Sequence, residues 1–253
     1  MLCYHAVSER WDADLSVLPE RFEAQLQGLS ARGYESGLFS EVARNVAGGK
    51  RVAITFDDAF ASVVTLAKPI LDRFGFTATI YAPTAFMDGG RPLKWPGIDH
   101  WEQTEHAAEL KPLDWAGLAE LRDAGWEVGA HTHNHPHLTT LDDATLRDEL
   151  ERSRELCIQH LGSCESIAYP YGDVDTRVVE AARRAGFSTG AGLPERQHAA
   201  NDPLNYPRVG IYYKDSDERA ARKMAPWART LQRMPGWPLV WKAASSARRA
   251  VKR

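Results

Sequence analysis

Short apolar runs rich in branched side chains alternate along this chain with longer segments of helical period. Residues 2–7, 51–56, 77–81, 126–130, 165–169, 188–192 and 208–212 read as strands. Between them, residues 19–32, 62–74, 113–124, 141–161 and 175–185 place apolar residues three and four apart. Phe22, Leu26 and Leu29 share one such face, and Gly33 ends that helix. Gly125 ends another, and Asp142 or Asp143 opens the long fourth one. Strand–helix alternation over this length predicts parallel β/α units, hence an α/β fold of barrel type. The stretch 87–111 shows no period and holds Trp95 and Trp101. A loop of that length serves as a lid or binding wall, its tryptophans either stacking on sugar rings or pinning the loop to the barrel.

The polar residues that break this pattern fall just after strands. Thr55-Phe56 runs into Asp57-Asp58. The strand ending at Ala130 runs into His131-Thr132-His133-Asn134-His135-Pro136. A β/α barrel places its active site at these C-terminal strand ends. One carboxylate and two imidazoles suffice to hold a divalent ion with a coordination position left open. Adjacent residues at a strand end point to opposite sides, so one of Asp57 and Asp58 ligates while the other faces the substrate as a base. His131 and His135 share a face if their loop makes a helical turn. Each motif alone has an ordinary explanation, a helix cap for the Asp pair and a surface pair for the histidines. Two such motifs on separate strand ends of one chain are much harder to explain that way. Pro170-Tyr171-Gly172, after the strand ending near Tyr169, forms a tight turn that can aim the Tyr171 amide at an oxyanion.

These residues resemble the polysaccharide deacetylases of carbohydrate esterase family 4, the NodB-homology domain. Thr55-Phe56-Asp57-Asp58 is similar to the family's first motif, His131–Pro136 to its second, and Pro170-Tyr171-Gly172 to most of its third. The resemblance spans roughly residues 2–212. It implies a distorted (β/α) barrel with fewer than eight full units and removal of an acetyl group from an N-acetylated saccharide. It also implies Asp57 as base, Asp58, His131 and His135 as ligands of a metal, most often Zn2+ with Co2+ or Mn2+ as alternatives, Thr132 as a brace for the histidine loop, and Tyr171 as oxyanion donor. The chain departs from the family pattern in three places. The arginine that supports the base is replaced by Ala168, the later Asp/Trp motif is represented only by Asp202, and the Leu-x-His that supplies the acid is absent. His5, after the first strand, is the candidate for the missing acid or a site-lining residue. Arg208 is weighed as the missing cation, but a place at the start of its strand favours an ordinary surface arginine. His133 and His137 are expected to face solvent or secondary partners. Two other functions compete: hydrolysis of a different small or cyclic amide on the same site, and carbohydrate binding without turnover.

Composition narrows the setting. A chain of 253 residues with 43% hydrophobic and 26% charged residues has the make-up of a globular domain. Three unevenly spaced cysteines argue against a disulfide framework, and Cys157 and Cys164 read as structural. The net charge of −3 hides an asymmetry. From Lys214 onward there are 11 Lys/Arg and 3 Asp/Glu, leaving 20 basic and 31 acidic residues in the preceding part. We therefore divide the chain into a catalytic domain, 1–213, and a basic helical tail, 214–253. The acidic body excludes nucleic acid as its partner. In the tail, Trp237 and Trp241 beside Lys/Arg suit a membrane interface, whereas packing on the barrel with a frayed basic end is the simpler reading. The first residues carry no basic, apolar export signal, so the expected location is the cytoplasm, at the inner face of the membrane if the tail touches lipid.

Overall fold

All eight strands of the central sheet run parallel. In the computed structural model, which describes residues 1–44, 49–193 and 202–225, they are β1 (Leu2–Tyr4), β2 (Ile54–Phe56), β3 (Thr79–Ala82), β4 (Glu127–Ala130), β5 (Ser166–Ala168), β6 (Thr189–Gly192), β7 (Tyr206–Pro207) and β8 (Val209–Gly210). Their order across the sheet is β7-β6-β5-β4-β3-β2-β1-β8. The two outer strands are consecutive pieces of one extended run. Tyr206 and Pro207 pair with Ala191 and Gly192 of β6, while Val209 and Gly210 pair with Leu2 and Cys3 of β1. The Arg208 amide donates to Gly192 O at 3.0 Å, and the Val209 amide to Met1 O at 3.0 Å. One run thus joins both edges and closes the sheet into a barrel with fewer than eight full β/α units. Every residue of β1, β2 and β3 is buried, as expected for strands covered on both faces.

The helices are α1 (Pro19–Ala31), α2 (Phe39–Arg44), α3 (Lys68–Arg73), α4 (Trp115–Asp123), α5 (Asp143–Leu161), α6 (Thr176–Arg184) and α7 (Asp217–Lys223). Asp114, Asp142 and Asp175 cap α4, α5 and α6 by accepting from Gly117, Thr145 and Val178 amides. Gly162 ends α5 at a positive φ of 84°. The expected helix over 62–74 is instead a π-turn, Val63–Ala67, leading into α3. Pro69 has no N–H to donate, and a widened turn before it accommodates the missing bond. Residues 39–44, unmarked by the apolar pattern, form α2. The expected strand over 2–7 breaks at His5, and the one over 51–56 breaks at Ala53.

The short α7 docks on α1. Buried Asp215 accepts from Lys223 Nζ at 2.5 Å and pairs with Arg219 at 2.9 Å, and Arg21 of α1 donates to Tyr213 O at 3.1 Å. Trp237 and Trp241 lie outside the described residues.

Where β6 passes the segment before β7, backbone meets backbone. A Cβ on Gly190 would collide with the Leu204 carbonyl oxygen and lie 2.8 Å from the Tyr169 hydroxyl oxygen. A Gly190→Ala chain is expected to lose about 1–3 kcal/mol of stability, read as a lower urea midpoint. An unchanged midpoint would show that this contact is looser than the packing implies.

Candidate active site

Five strand ends bring the singled-out residues together. His5 follows β1, Asp57 and Asp58 follow β2, His131–His135 follow β4, Tyr171 follows β5, and Arg208 separates β7 from β8. His5, Asp57, Asp58, His131, His135 and Tyr171 contribute to the wall of a single cleft of about 880 Å3. Among the described residues, the five non-glycines with positive φ are Asp58, Ala59, Thr132, His135 and Tyr171. Each such residue costs on the order of 1–3 kcal/mol, which the surrounding fold must offset. Strain gathered on one cleft marks a place where side-chain position outweighs backbone comfort.

Asp58, His131 and His135 converge as one buried cluster, their ligating atoms within 4.8 Å of one another. Both Nε2 atoms lie 3.3 Å from Asp58 Oδ1. The Nδ1 of His131 donates to the Ala168 carbonyl at 2.8 Å, which leaves its Nε2 a lone pair in the neutral ring. That lone pair faces a carboxylate oxygen that has no hydrogen-bond partner. Acceptor opposite acceptor at this depth is unfavourable unless a cation lies between them. The donor set of one oxygen and two nitrogens suits zinc and its neighbours. The residues therefore fit a divalent ion. Burial pushes the Asp58 carboxyl up, but the two imidazoles outweigh it and hold the group well below the ordinary carboxylate range. Burial pulls His135 down, whereas the carboxylates Asp57 and Asp58 hold His131 above its usual value against burial.

The histidine loop is not the expected helical turn. Thr132 and His135 both adopt left-handed backbone, at φ 63° and 62°, and this is what turns the two rings toward Asp58. Thr132 braces the loop as the family resemblance implied, its Oγ1 accepting from the His135 amide at 3.1 Å. A second brace was not anticipated. Buried Glu149 of α5 accepts from the His133 and Asn134 amides at 2.9 and 2.8 Å and from the Asn134 side chain at 2.6 Å. Its place beside the inner stripe Leu146-Leu150-Ser153 is the signal that would have marked it. His133 turns away from the cleft to Thr84 Oγ1, 2.9 Å from its Nδ1.

Asp57 is held apart from that cluster by Arg208, and here the surface reading of Arg208 is overturned. Its side chain is 1% exposed and grips Asp57 with both terminal nitrogens, Nη1 to Oδ1 at 2.6 Å and Nη2 to Oδ2 at 2.7 Å. The same Nη1 donates to Thr55 Oγ1 at 2.8 Å. A two-pronged guanidinium fixes a carboxylate in orientation as well as in charge. Burial pushes the Asp57 carboxyl up, but Arg208 outweighs it and brings the group down to about 2. The arginine expected before the third motif is thus supplied from the run that closes the barrel. Asp202, by contrast, is not in the cleft; it caps the Leu204 amide at 2.8 Å and pairs with Arg183 at 2.9 Å.

His5 lines the cleft with its Nδ1 buried and unpartnered. Burial pulls it below the ordinary histidine value against the pull of Asp58 and Asp57. Tyr171 turns at φ 58°, its ring edge-on to His135 at 4.7 Å and stacked on His137 at 4.0 Å. Half-exposed His137 also has its Nδ1 3.8 Å from Asp173. Both loop tryptophans pin the loop to the barrel and also face the cleft. Trp95 is buried and stacks on the His135 ring at 3.9 Å, while Trp101 meets Trp11 edge-on at 5.9 Å, and both line the cleft.

A parallel barrel carrying a buried Asp-His-His cluster beside a guanidinium-held carboxylate, all at the C-terminal strand ends, has the architecture of a hydrolase. The pattern of the polysaccharide deacetylase family matches residues 44–190. The chain belongs to that family. It is 27% identical to YxkH of Bacillus subtilis (strain 168) over 196 residues, 75% of this chain, and spans 62% of that protein's length. It is 25% identical to the poly-β-1,6-N-acetyl-D-glucosamine N-deacetylase of Staphylococcus aureus over 82% of this chain and 72% of that one. Among solved structures, Streptococcus pyogenes deacetylase PplD in complex with acetate superposes with a TM-score of 0.73 at 26% identity, over 89% of this chain and 97% of that one. IcaB from Ammonifex degensii superposes with a TM-score of 0.66, also at 26% identity, over 88% and 96%.

Proposed function

We propose that this chain removes the acetyl group from an N-acetylated amino sugar in a glycan, with a divalent ion, zinc in the first instance, held by Asp58, His131 and His135. The observation that carries this reading is the ionised Asp57, locked by Arg208 beside that three-ligand cluster. Bound there, the ion would polarise the acetyl carbonyl and acidify water. Asp57 accepts a proton from the attacking water and cannot swing away, because both its oxygens are held. The Tyr171 amide, turned by its positive φ, serves as a donor to the oxyanion. Burial favours the neutral form of His5, so it must first gain the proton that it gives to the leaving nitrogen. We take Asp57 as its source, by way of a bridging water or the substrate, since ligating atoms of the two lie within 4.8 Å. Trp95 and Trp101 offer apolar wall to a sugar face. The relatives' names point to a polymer of N-acetylglucosamine as the substrate class.

The test is acetate release from N-acetylated oligosaccharides by zinc-loaded, cobalt-loaded and chelated protein, beside Asp57→Asn. Release should vanish with chelator and fall at least about 100-fold in the variant. No release from any such sugar by the metal-loaded protein would sink this reading and move the weight to another amide or to binding alone.

The tail belongs to the same picture. Residues 226–253 carry seven Lys/Arg, no Asp/Glu and three tryptophans. We propose that they hold the enzyme peripherally on an anionic membrane surface, the cytoplasmic leaflet in the first instance. The full chain should then sediment with phosphatidylserine vesicles and release at high salt, and sedimentation unaffected by deleting 226–253 would refute it.

A further inference from the structure

A second constellation of metal-binding groups lies beside the one just described and shares no residue with it. Cys3 and His5 are two apart on β1 and its end, so they point to the same side. Asp57 follows the neighbouring β2, which is in register with β1 as Cys3 opposite Thr55 and Tyr4 opposite Phe56. The ligating atoms of Cys3, His5 and Asp57 all lie within 4.8 Å of one another. The Cys3 thiol sulfur is 3.5 Å from Asp57 Oδ2. The His5 Nδ1 is buried and has no hydrogen-bond partner. All three residues line the cleft, and hydrolysis as derived above makes no use of the thiol.

We propose that Cys3, His5 and Asp57 form a second site for a thiophilic divalent ion such as Zn2+ or Cd2+, and that filling it switches the enzyme off. A sulfur, a nitrogen and an oxygen donor together select zinc, cadmium or cobalt over magnesium, manganese or calcium. Two features make this site weaker than the Asp58–His131–His135 site. Arg208 already occupies Asp57, so an incoming ion meets a neighbouring positive charge. The thiol must also break its S–H bond and release the proton to solvent as the sulfur–metal bond forms, and burial of Cys3 opposes that ionisation. The site therefore fills after the first one. Occupation engages Asp57 and His5, the proposed base and proton donor, at once. Activity then rises as the first ion binds and falls as the second binds. The binding claim stands on the residues alone, whereas the inhibition rests on the deacetylase reading.

The experiment is a cobalt titration of the full-length protein, followed by absorbance and by native mass spectrometry. A second bound ion is expected, accompanied by a thiolate-to-cobalt charge-transfer band in the near ultraviolet. Cys3→Ser should bind one ion and show no such band, while Cys157→Ser and Cys164→Ser keep both. With acetate release as readout, the Cd2+ concentration that halves activity should rise at least tenfold in Cys3→Ser, each protein measured against its own maximum. Excess Mn2+ should not inhibit. A single ion at every cobalt concentration, or a band that persists in Cys3→Ser, would overturn the site. A two-ion protein with the band but no acetate release on any sugar would uphold the site and refute the deacetylase reading. The wild-type titration decides the binding claim even if Cys3→Ser folds poorly.

Discussion

An Arg208→Met chain is expected to be destabilised by about 3–5 kcal/mol and to lose at least about 100-fold in activity. Removing one partner of a buried pair leaves the other charge uncompensated, and that costs more than the pair itself contributes. Asp57 is 6% exposed at its side chain, so little solvent is on hand to replace the guanidinium. The activity loss follows because a base without its guanidinium is neither held in place nor kept ionised. The double variant Arg208→Met/Asp57→Asn separates the two effects. With both charges gone, most of the stability should return while acetate release stays absent. Urea unfolding and turnover on the three proteins give the comparison, and a double variant no more stable than Arg208→Met would show that Arg208 acts by packing alone. The sign with pH is also set. Asp57 is depressed from 3.8 to about 2 in the fold, so the pair's contribution is present above 3.8 and is lost as pH falls through about 2.

The second large effect is on melting. Asp58, His131 and His135 are arranged only in the folded chain, so an ion bound there stabilises the fold by mass action. At a thousand times its dissociation constant that is about 4 kcal/mol, or a rise of roughly 10 °C in melting temperature for a domain of this size. Zinc added to chelated protein should produce such a rise, and Asp58→Asn should remove most of it at zinc concentrations below those that fill the weaker Cys3–His5–Asp57 site. A metal-independent melting temperature in the unaltered chain would mean that the three side chains form a polar cluster and not a metal site.

The convergence of Asp58, His131 and His135 was legible in the sequence because each motif is local. Asp57-Asp58 ends one apolar run and His131–His135 another, so strand ends alone placed them in one cleft. What the sequence concealed was non-local or conformational. Arg208 and Asp57 are separated by 151 residues, and nothing in residues 206–210 announces that they pair first with one neighbour and then with another. Read as the first residue of a strand over 208–212, Arg208 looked badly placed; as the joint between β7 and β8 it points into the barrel. The histidine loop misled for a different reason. A spacing of four fits a helical turn, yet two left-handed residues reach the same end, and a β-branched residue such as Thr132 does not advertise that backbone. The β/α alternation came through because buried parallel strands are continuous apolar runs, while α2 and the π-turn before Pro69 depend on local geometry that hydrophobic period does not record.

Closure of the barrel by residues 206–210 divides the chemistry in time. The residues proposed to hold the ion, Asp58, His131 and His135, all precede residue 136 and so are synthesised well before Arg208. The residues of the proposed ion site are therefore all made before the run that closes the barrel. The base is a different matter, since Asp57 meets its guanidinium only when the last run has slid between β6 and β1. In chain order the proposed ion site comes first, and the last run of the sheet supplies the guanidinium that holds the base.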